Sequence, residues 1–179
     1  AAFNTRNTYD LITSEPPPPM AAGVYRLYSR EYYASALAHL TPQGMMTQWL
    51  PIYQMPTQAV DEAIATFTDV FPETLLIVGS GSELILVGGR QPMDLARLES
   101  NFPAAGPVQE DLRRIGVRNP GHLAVRIMRT DASLRRQYLG AGRISDQHNS
   151  LEQMFLTPAQ ATVIHSVLQS FTISSSIGS

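Results

Sequence analysis

Residues 9–19 read YDLITSEPPPP. Leu11 and Ile12 lead into Thr13 and Ser14 with no helical period, so residues 10–14 are expected to form a short buried strand. Pro16 to Pro19 follow at once. Proline locks φ and lacks the amide proton, which admits neither a helix nor a continued ladder, so the strand must end at Glu15. A carboxylate is thereby delivered to the lip of a sheet.

Downstream, Ser29 is placed to cap a helix whose larger apolar residues Tyr33, Leu37 and Leu40 fall at i, i+4 and i+7, until Pro42 and Gly44 end it. Residues 45–50 make a second apolar strand, broken by Pro51. Thr57 is expected to cap a second helix, with Val60, Ile64, Phe67 and Phe71 on one stripe and Pro72 as its stop. Strands alternating with helices of this length imply parallel neighbours in a doubly wound α/β sheet, because parallel strands need a crossover helix. Residues 75–78 and 84–87 are two apolar runs joined by GSGSE, a hairpin connection, so the sheet is expected to finish with an antiparallel strand. GSGS leads from strand to strand with no helix after it, which argues for a turn and against a phosphate cradle.

From residue 92 the pattern changes to short helices: one around residues 93–98, one around 108–115 closed by Gly116, and helical pieces over 123–138. No strand pattern returns. After GRISDQHNSLEQMF comes a well-signalled helix, with Thr157, Pro158 and Gln160 as a capping box and Val163, Ile164, Val167, Leu168 and Phe171 as its apolar face. The terminal SSSIGS should fray. The expected organisation is an α/β domain over residues 1–90 and a helical C-terminal extension over 91–179 packed on it.

Composition narrows the function. A net charge of −2 and a charged fraction of 16% supply no global field for nucleic acid or an anionic membrane. All 13 basic residues are arginine, and the eight between Arg113 and Arg143 have Asp131 as their only acidic neighbour in sequence. Only Tyr138 interleaves with that charge, which favours a solvated or partner-facing surface over a nucleic-acid patch. The absence of cysteine excludes disulfides, thiolate metal sites and a cysteine nucleophile. His39, His122, His148 and His165 show no metal-ligand spacing. No apolar run approaches the length of a membrane span and residues 1–10 are too polar for a signal peptide, so a cytoplasmic location is expected.

The stretch YDLITSEPPPP, followed by GVYRLYSREYYASALAHLTPQGMMTQWLPIYQM, resembles the spermidine synthase family, especially a bacterial branch often fused to membrane transporter-like segments. There a strand ending in Asp and Pro precedes a Leu-Tyr-Thr-Arg-Glu-Phe-Tyr helix and a Gln-Trp-Leu-Pro-Leu-Tyr strand. The likeness spans residues 9 to about 88, with a weaker echo in SDQHNSLE, residues 145–152, where that branch carries Thr-Asp-Asp-Arg-Pro, a variable residue, and Leu-Glu. The resemblance implies a class I methyltransferase-like, Rossmann-like fold of which this chain is the C-terminal half. The Gly-rich loop and the acidic residues that hold the nucleoside would then lie upstream of Ala1.

What the resemblance implies for the site follows residue by residue. Glu15 stands where the family has the Asp that acts as base or orienting group for the attacking amine, an amine having to shed a proton to attack carbon beside a sulfonium. A carboxylate leaving a strand is also a common turn cap. The family's second Asp aligns with Pro18, which cannot bind an amine. Gln48 matches a crevice-facing Gln, with Trp49 and Tyr53 able to line a substrate pocket beside it; core packing is an equal role for Trp49. Ser14, Ala22 and Leu27 match positions near the adenine, while Tyr28, Tyr32 and Tyr33 read as helix-face packing. Asp146 and Glu152 keep acidic positions of the tail motif, whose Asp, Arg and Pro are replaced by Gln147, His148 and Asn149.

The implied activity is transfer of an aminopropyl or methyl group from decarboxylated S-adenosylmethionine or S-adenosylmethionine, with a small-molecule amine and a nucleoside as partners. No cofactor is expected to bind this half alone, which would be inactive by itself. The altered Pro18 and tail motif leave a second expectation, a non-catalytic binding or oligomerisation module that keeps the fold. Half a sheet exposes the flank of its first strand, so a homo-oligomer is expected.

Overall fold

The strand before the prolines is β1, Tyr9–Ser14, in a computed structural model that describes residues 7–17, 20–79 and 82–147. Only alternate residues of β1 are buried, Ile12 and Ser14, while Leu11 is 56% exposed. Among the described residues it is thus a half-buried edge strand, where a buried strand was expected. β2, Leu40–Leu50, runs parallel to it, with Ile12 opposite Met46 and Ser14 opposite Gln48.

Between them lies α1, Arg30–Ala38, whose first turn is capped as expected: Ser29 Oγ accepts from the Tyr32 amide at 3.3 Å. The helix ends before Leu40, which the apolar spacing had assigned to it. Pairing with β1 captures that residue instead, because the Tyr9 amide donates to His39 O at 2.8 Å and Leu40 stands opposite Tyr9 as the first residue of β2. The register slips between Tyr9 and Leu11 beside Gly44, where a Cβ would lie 2.7 Å from Tyr9 O.

α2, Thr57–Val70, begins at Thr57 itself with Pro56 in the cap position and no side-chain cap, so the expected Thr57 cap is absent. Its stripe is as expected: Val60, Ile64, Phe67 and Phe71 are buried. Phe67 and Phe71 stack with centroids 4.4 Å apart, and Tyr33 of α1 meets Phe67 edge-on at 5.0 Å.

β3, Glu73–Val78, and β4, Leu84–Gly89, form the expected antiparallel hairpin. β4 pairs antiparallel with β2 as well, giving a sheet of order β1-β2-β4-β3-β5 in which β1, β2 and β3 run the same way. This mixed α/β sheet fits a Rossmann-like class. Beyond it come α3, Arg97–Ser100, α4, Pro107–Arg114, and α5, Gly121–Ala124, none of which has a buried residue. α3 is shorter and later than the helix expected at 93–98, and α4 closes at Gly116 as expected.

The helical reading of residues 123–138 needs correcting. β5, Ile127–Thr130, adds antiparallel to β3 before α6, Asp131–Gln137, so the portion after residue 90 contributes a strand to the same sheet. Several arginines of this portion serve as ties. Arg135 Nη2 donates to Phe71 O and Pro72 O at 2.7 and 3.1 Å, and Arg143 grips Asp69 at 2.5 and 3.2 Å. Both sites lie at the carboxyl end of α2, where a cation complements the helix dipole. The expected helix at 157–171, the final SSSIGS and Glu152 lie outside the described residues. Among the described residues no helix is long and apolar enough to cross a membrane.

α1, α2 and α6 cover one face of the sheet, that of Ile12, Met46, Leu50, Leu76, Leu84 and Leu86, in a single core cluster. The carboxyl ends of β1 and β2 lie at one end of this layer, with Ser14 and Gln48 opposite each other there and Glu15 just beyond.

Candidate functional site

Strand alternation decides which side chains can work together. Ser14 and Gln48 stand opposite each other on the helix-covered face at the last positions of the β1–β2 ladder. Both are buried, Gln48 completely. Tyr32, from the first turn of α1, donates its hydroxyl proton to Ser14 Oγ at 3.3 Å, which ties that helix to the strand end. Sequence reasoning gave Tyr32 only a packing role; its place three residues after the capping serine was the available signal.

Gln48 is the unusual member. Its Nε2 donates to Trp49 O at 3.1 Å. A carbonyl only accepts, so the amide nitrogen must face Trp49 O and the amide oxygen must face the other way. That oxygen, Oε1, is buried with no hydrogen-bond partner among the described residues. Burying an acceptor unmatched costs about 1–3 kcal/mol, so an oxygen of this kind calls for an ordered water or a ligand donor. Gln54, in the short 3-10 turn Ile52–Gln54 just after β2, presents a second buried and unpartnered amide oxygen at the same end of the sheet. Gln54 was not singled out in the sequence, although an amide within the apolar run PIYQM was there to be noticed.

Glu15 follows Ser14 just past the end of β1 and is exposed. The two unmatched amide oxygens make this end of the sheet an acceptor site, suited to a ligand with N–H donors. Trp49 does not join this set: successive strand residues face opposite ways, and it sits half-buried across the sheet from Gln48. Tyr53 is 48% exposed, Ala22 is exposed in the turn before the 3-10 segment Val24–Tyr28, and Leu27 is half-buried within it. Asp146 comes close by its backbone, its amide donating to Glu31 Oε2 in the first turn of α1 at 3.0 Å. That one backbone bond ties Asp146 to the first turn of α1, and the Asp146 side chain is exposed.

Two tyrosines are fully buried with hydroxyls that have no hydrogen-bond partner among the described residues, Tyr28 and Tyr33. Burial pushes both phenols above their ordinary range, and for Tyr33 the neighbouring Tyr28 and Tyr32 add to the effect. They stay neutral at any physiological pH. Among the described residues no three His, Asp or Glu side chains gather so as to hold a metal ion.

One carboxylate near the start of α2 has a testable pH signature. Burial, with a smaller contribution from Glu62, pushes Asp61 up to about 6 from 3.8. The folded protein then holds this proton more tightly than the unfolded chain, so stability is highest below about pH 4, falls as pH rises through about 6, and is level above. Asp61→Asn should remove the fall. With the side chain half-exposed and partly screened, the expected gain at pH 7 is about 1 kcal/mol, with none at pH 3.5. Urea midpoints of both proteins at the two pH values check this, and parallel profiles would contradict it.

No protein-family model matches this chain, and no curated protein matches it.

Proposed function

We propose that the chain carries the acceptor side of a spermidine-synthase-like transferase. An amine is held at the carboxyl ends of β1 and β2, and its nitrogen attacks the carbon beside the sulfonium of decarboxylated S-adenosylmethionine or S-adenosylmethionine. The new C–N bond forms as the C–S bond breaks, the electron pair leaves on sulfur as a neutral thioether, and Glu15 takes the proton shed by the amine. The single observation supporting this most is the unpartnered Gln48 Oε1, buried opposite Ser14 and directed away from Trp49 O. An N–H donor in that place would satisfy an acceptor that folding leaves unmatched.

The sheet order lends support of a coarser kind. Three strands run one way with β4 reversed between β2 and β3, and β1 lies at the edge among the described residues. In this proposal further parallel strands bearing the nucleoside site add beyond β1, and the present chain alone is inactive. A non-catalytic assembly module is the second reading, favoured by that same edge and by the exposure of Leu11 and Met45 beside it.

Gln48→Met tests the site. The thioether side chain fills a similar space without the acceptor, so the variant should be more stable by about 1 kcal/mol while binding the amine about tenfold more weakly. Calorimetric titration of the full-length natural polypeptide with a diamine and with thioether nucleosides supplies the readout. Absence of saturable binding there would overturn the transferase in favour of the assembly module. Loss of stability in Gln48→Met would show that the amide already has its partner.

A further inference from the structure

The connection from β4 to β5 lies almost entirely at the surface: from residue 90 to residue 126 only Val117 is buried. α4 is nevertheless a defined helix whose two ends are written into the sequence. Pro107 stands at its first position, and Gly116 closes it at φ 82, with the Gly116 amide donating to Arg113 O at 3.0 Å and the Val117 amide to Leu112 O at 2.8 Å. Eight residues are too few for a helix to be stable in water by itself, so its apolar side needs a neighbour. Val108, Leu112 and Ile115 fall at i, i+4 and i+7 on one stripe. Among the described residues both ends of that stripe are uncovered: Val108 is 61% and Ile115 69% exposed, with Leu112 half-buried between them.

The charges around the stripe select what can cover it. They reverse sign about Leu112: Glu110 and Asp111 precede it, Arg113 and Arg114 follow it, and all four are exposed. Asp111 and Arg114 pair with each other along the helix at 2.6 Å, with side chains 69% and 74% exposed, so both keep an outer side open to a second partner. An acidic surface laid on the stripe would meet like charge on the first half of α4, and a basic surface would meet it on the second half. A copy of the same helix running the opposite way meets unlike charge on both halves.

We propose that α4 is a self-association surface, on which a second copy of this chain packs antiparallel about a two-fold axis at Leu112. The axis sets Val108 of one copy beside Ile115 of the other and Asp111 of one beside Arg114 of the other, each contact made twice. The two helix dipoles then oppose one another. Pairing through α4 uses neither the β1 edge nor the carboxyl ends of β1 and β2, because the helix belongs to the connection into β5, the outer strand farthest from β1. It holds equally for a transferase and for an assembly module. Two helices about 12 Å long cover less than the roughly 1,200 Å² of a standard interface, so the dimer is a weak one, dissociating at about 10⁻⁴ M.

Sedimentation velocity of the full chain, from about 10 to 500 µM, reads the association directly. The natural chain should move from monomer to dimer across that range. Glu110→Arg with Asp111→Arg puts four bases around the stripe, and Arg113→Glu with Arg114→Glu puts four acids there. Each variant alone should pair at least about tenfold more weakly, since like charges now face each other, and an equimolar mixture of the two should recover the dimer. Val108→Ser with Ile115→Ser, which leaves every charge in place, should also weaken pairing about tenfold. All these side chains are exposed, so melting of the fold should be unchanged. A natural chain that stays monomeric at 500 µM overturns the proposal. So do charge variants that pair as the natural chain does, which would move the contact to another surface, and a mixture that recovers nothing.

Discussion

Gly88→Ala should be the most damaging single methyl in this fold. Gly88 lies on the helix-covered face of β4, opposite Met46 on β2 and Thr74 on β3. A Cβ there would stand 2.5 Å from Phe71 Cγ and 2.6 Å from Phe67 Cε1. Both rings are fully buried and stacked on each other, with Tyr33 against Phe67, so neither can swing aside without moving the other two. Overpacking of this kind costs about 3 kcal/mol when the neighbours are rigid. In a protein of this size that corresponds to roughly a 10 °C fall in melting temperature. Gly140, around which an added Cβ meets nothing within 4 Å, provides the control. Gly140→Ala should melt within a degree or two of the natural chain. Equal melting of the two variants would show that α2 stands further from the sheet than its rings imply.

Glu15→Gln is the corresponding test of chemistry. In the natural full-length protein, transfer should fall about 10²–10⁴-fold, the usual contribution of a positioned proton acceptor, with KM for the amine changed far less than kcat. The amide keeps the size and hydrogen-bonding reach of the carboxylate and loses only its ability to take a proton. Because Glu15 is exposed beyond the end of β1, stability should be unaffected, which separates a catalytic loss from a folding one. A variant with full activity would leave Glu15 as a strand-end residue and move the search for a base to solvent.

Residues that interrupt pattern were the most legible part of the chain. Pro16, Pro51 and Pro72 stop β1, β2 and α2 within a residue or two of where they stand, whereas Pro42, expected to end α1, lies inside β2 before its pairing with β1 resumes at Met45. Periodicity located α2 and its buried stripe, since a helix in contact with a sheet needs apolar residues every third or fourth position. Within the site, Ser14 and Gln48 were both named in advance, and what brings them together is the parallel ladder. Trp49, named with them, falls on the other face by the two-residue period of the same strand.

Other features depended on neighbours that are distant in sequence. Leu40 satisfies the spacing of α1 and yet opens β2, because β1 offers its backbone a partner one residue after the helix ends. Residues 127–130 carry too short a run to declare a strand. They become one against the outer edge of β3, whose unpaired amides and carbonyls need a ladder. The Ser29 cap was legible, being a local bond three residues long, whereas the orphaned oxygen of Gln48 was not. Whether a buried amide is matched depends on every element packed around it.

The amino-acid sequence by itself therefore determined the alternation of strand and helix, the turns, and the carboxylate at the end of the first strand, all of which follow from local backbone chemistry. The tertiary structure alone decided the fifth strand, the face each site residue occupies and the unmatched acceptor of Gln48 opposite Ser14. Those are properties of hydrogen-bond partners and packed surfaces that come together only when residues far apart along the chain share one sheet.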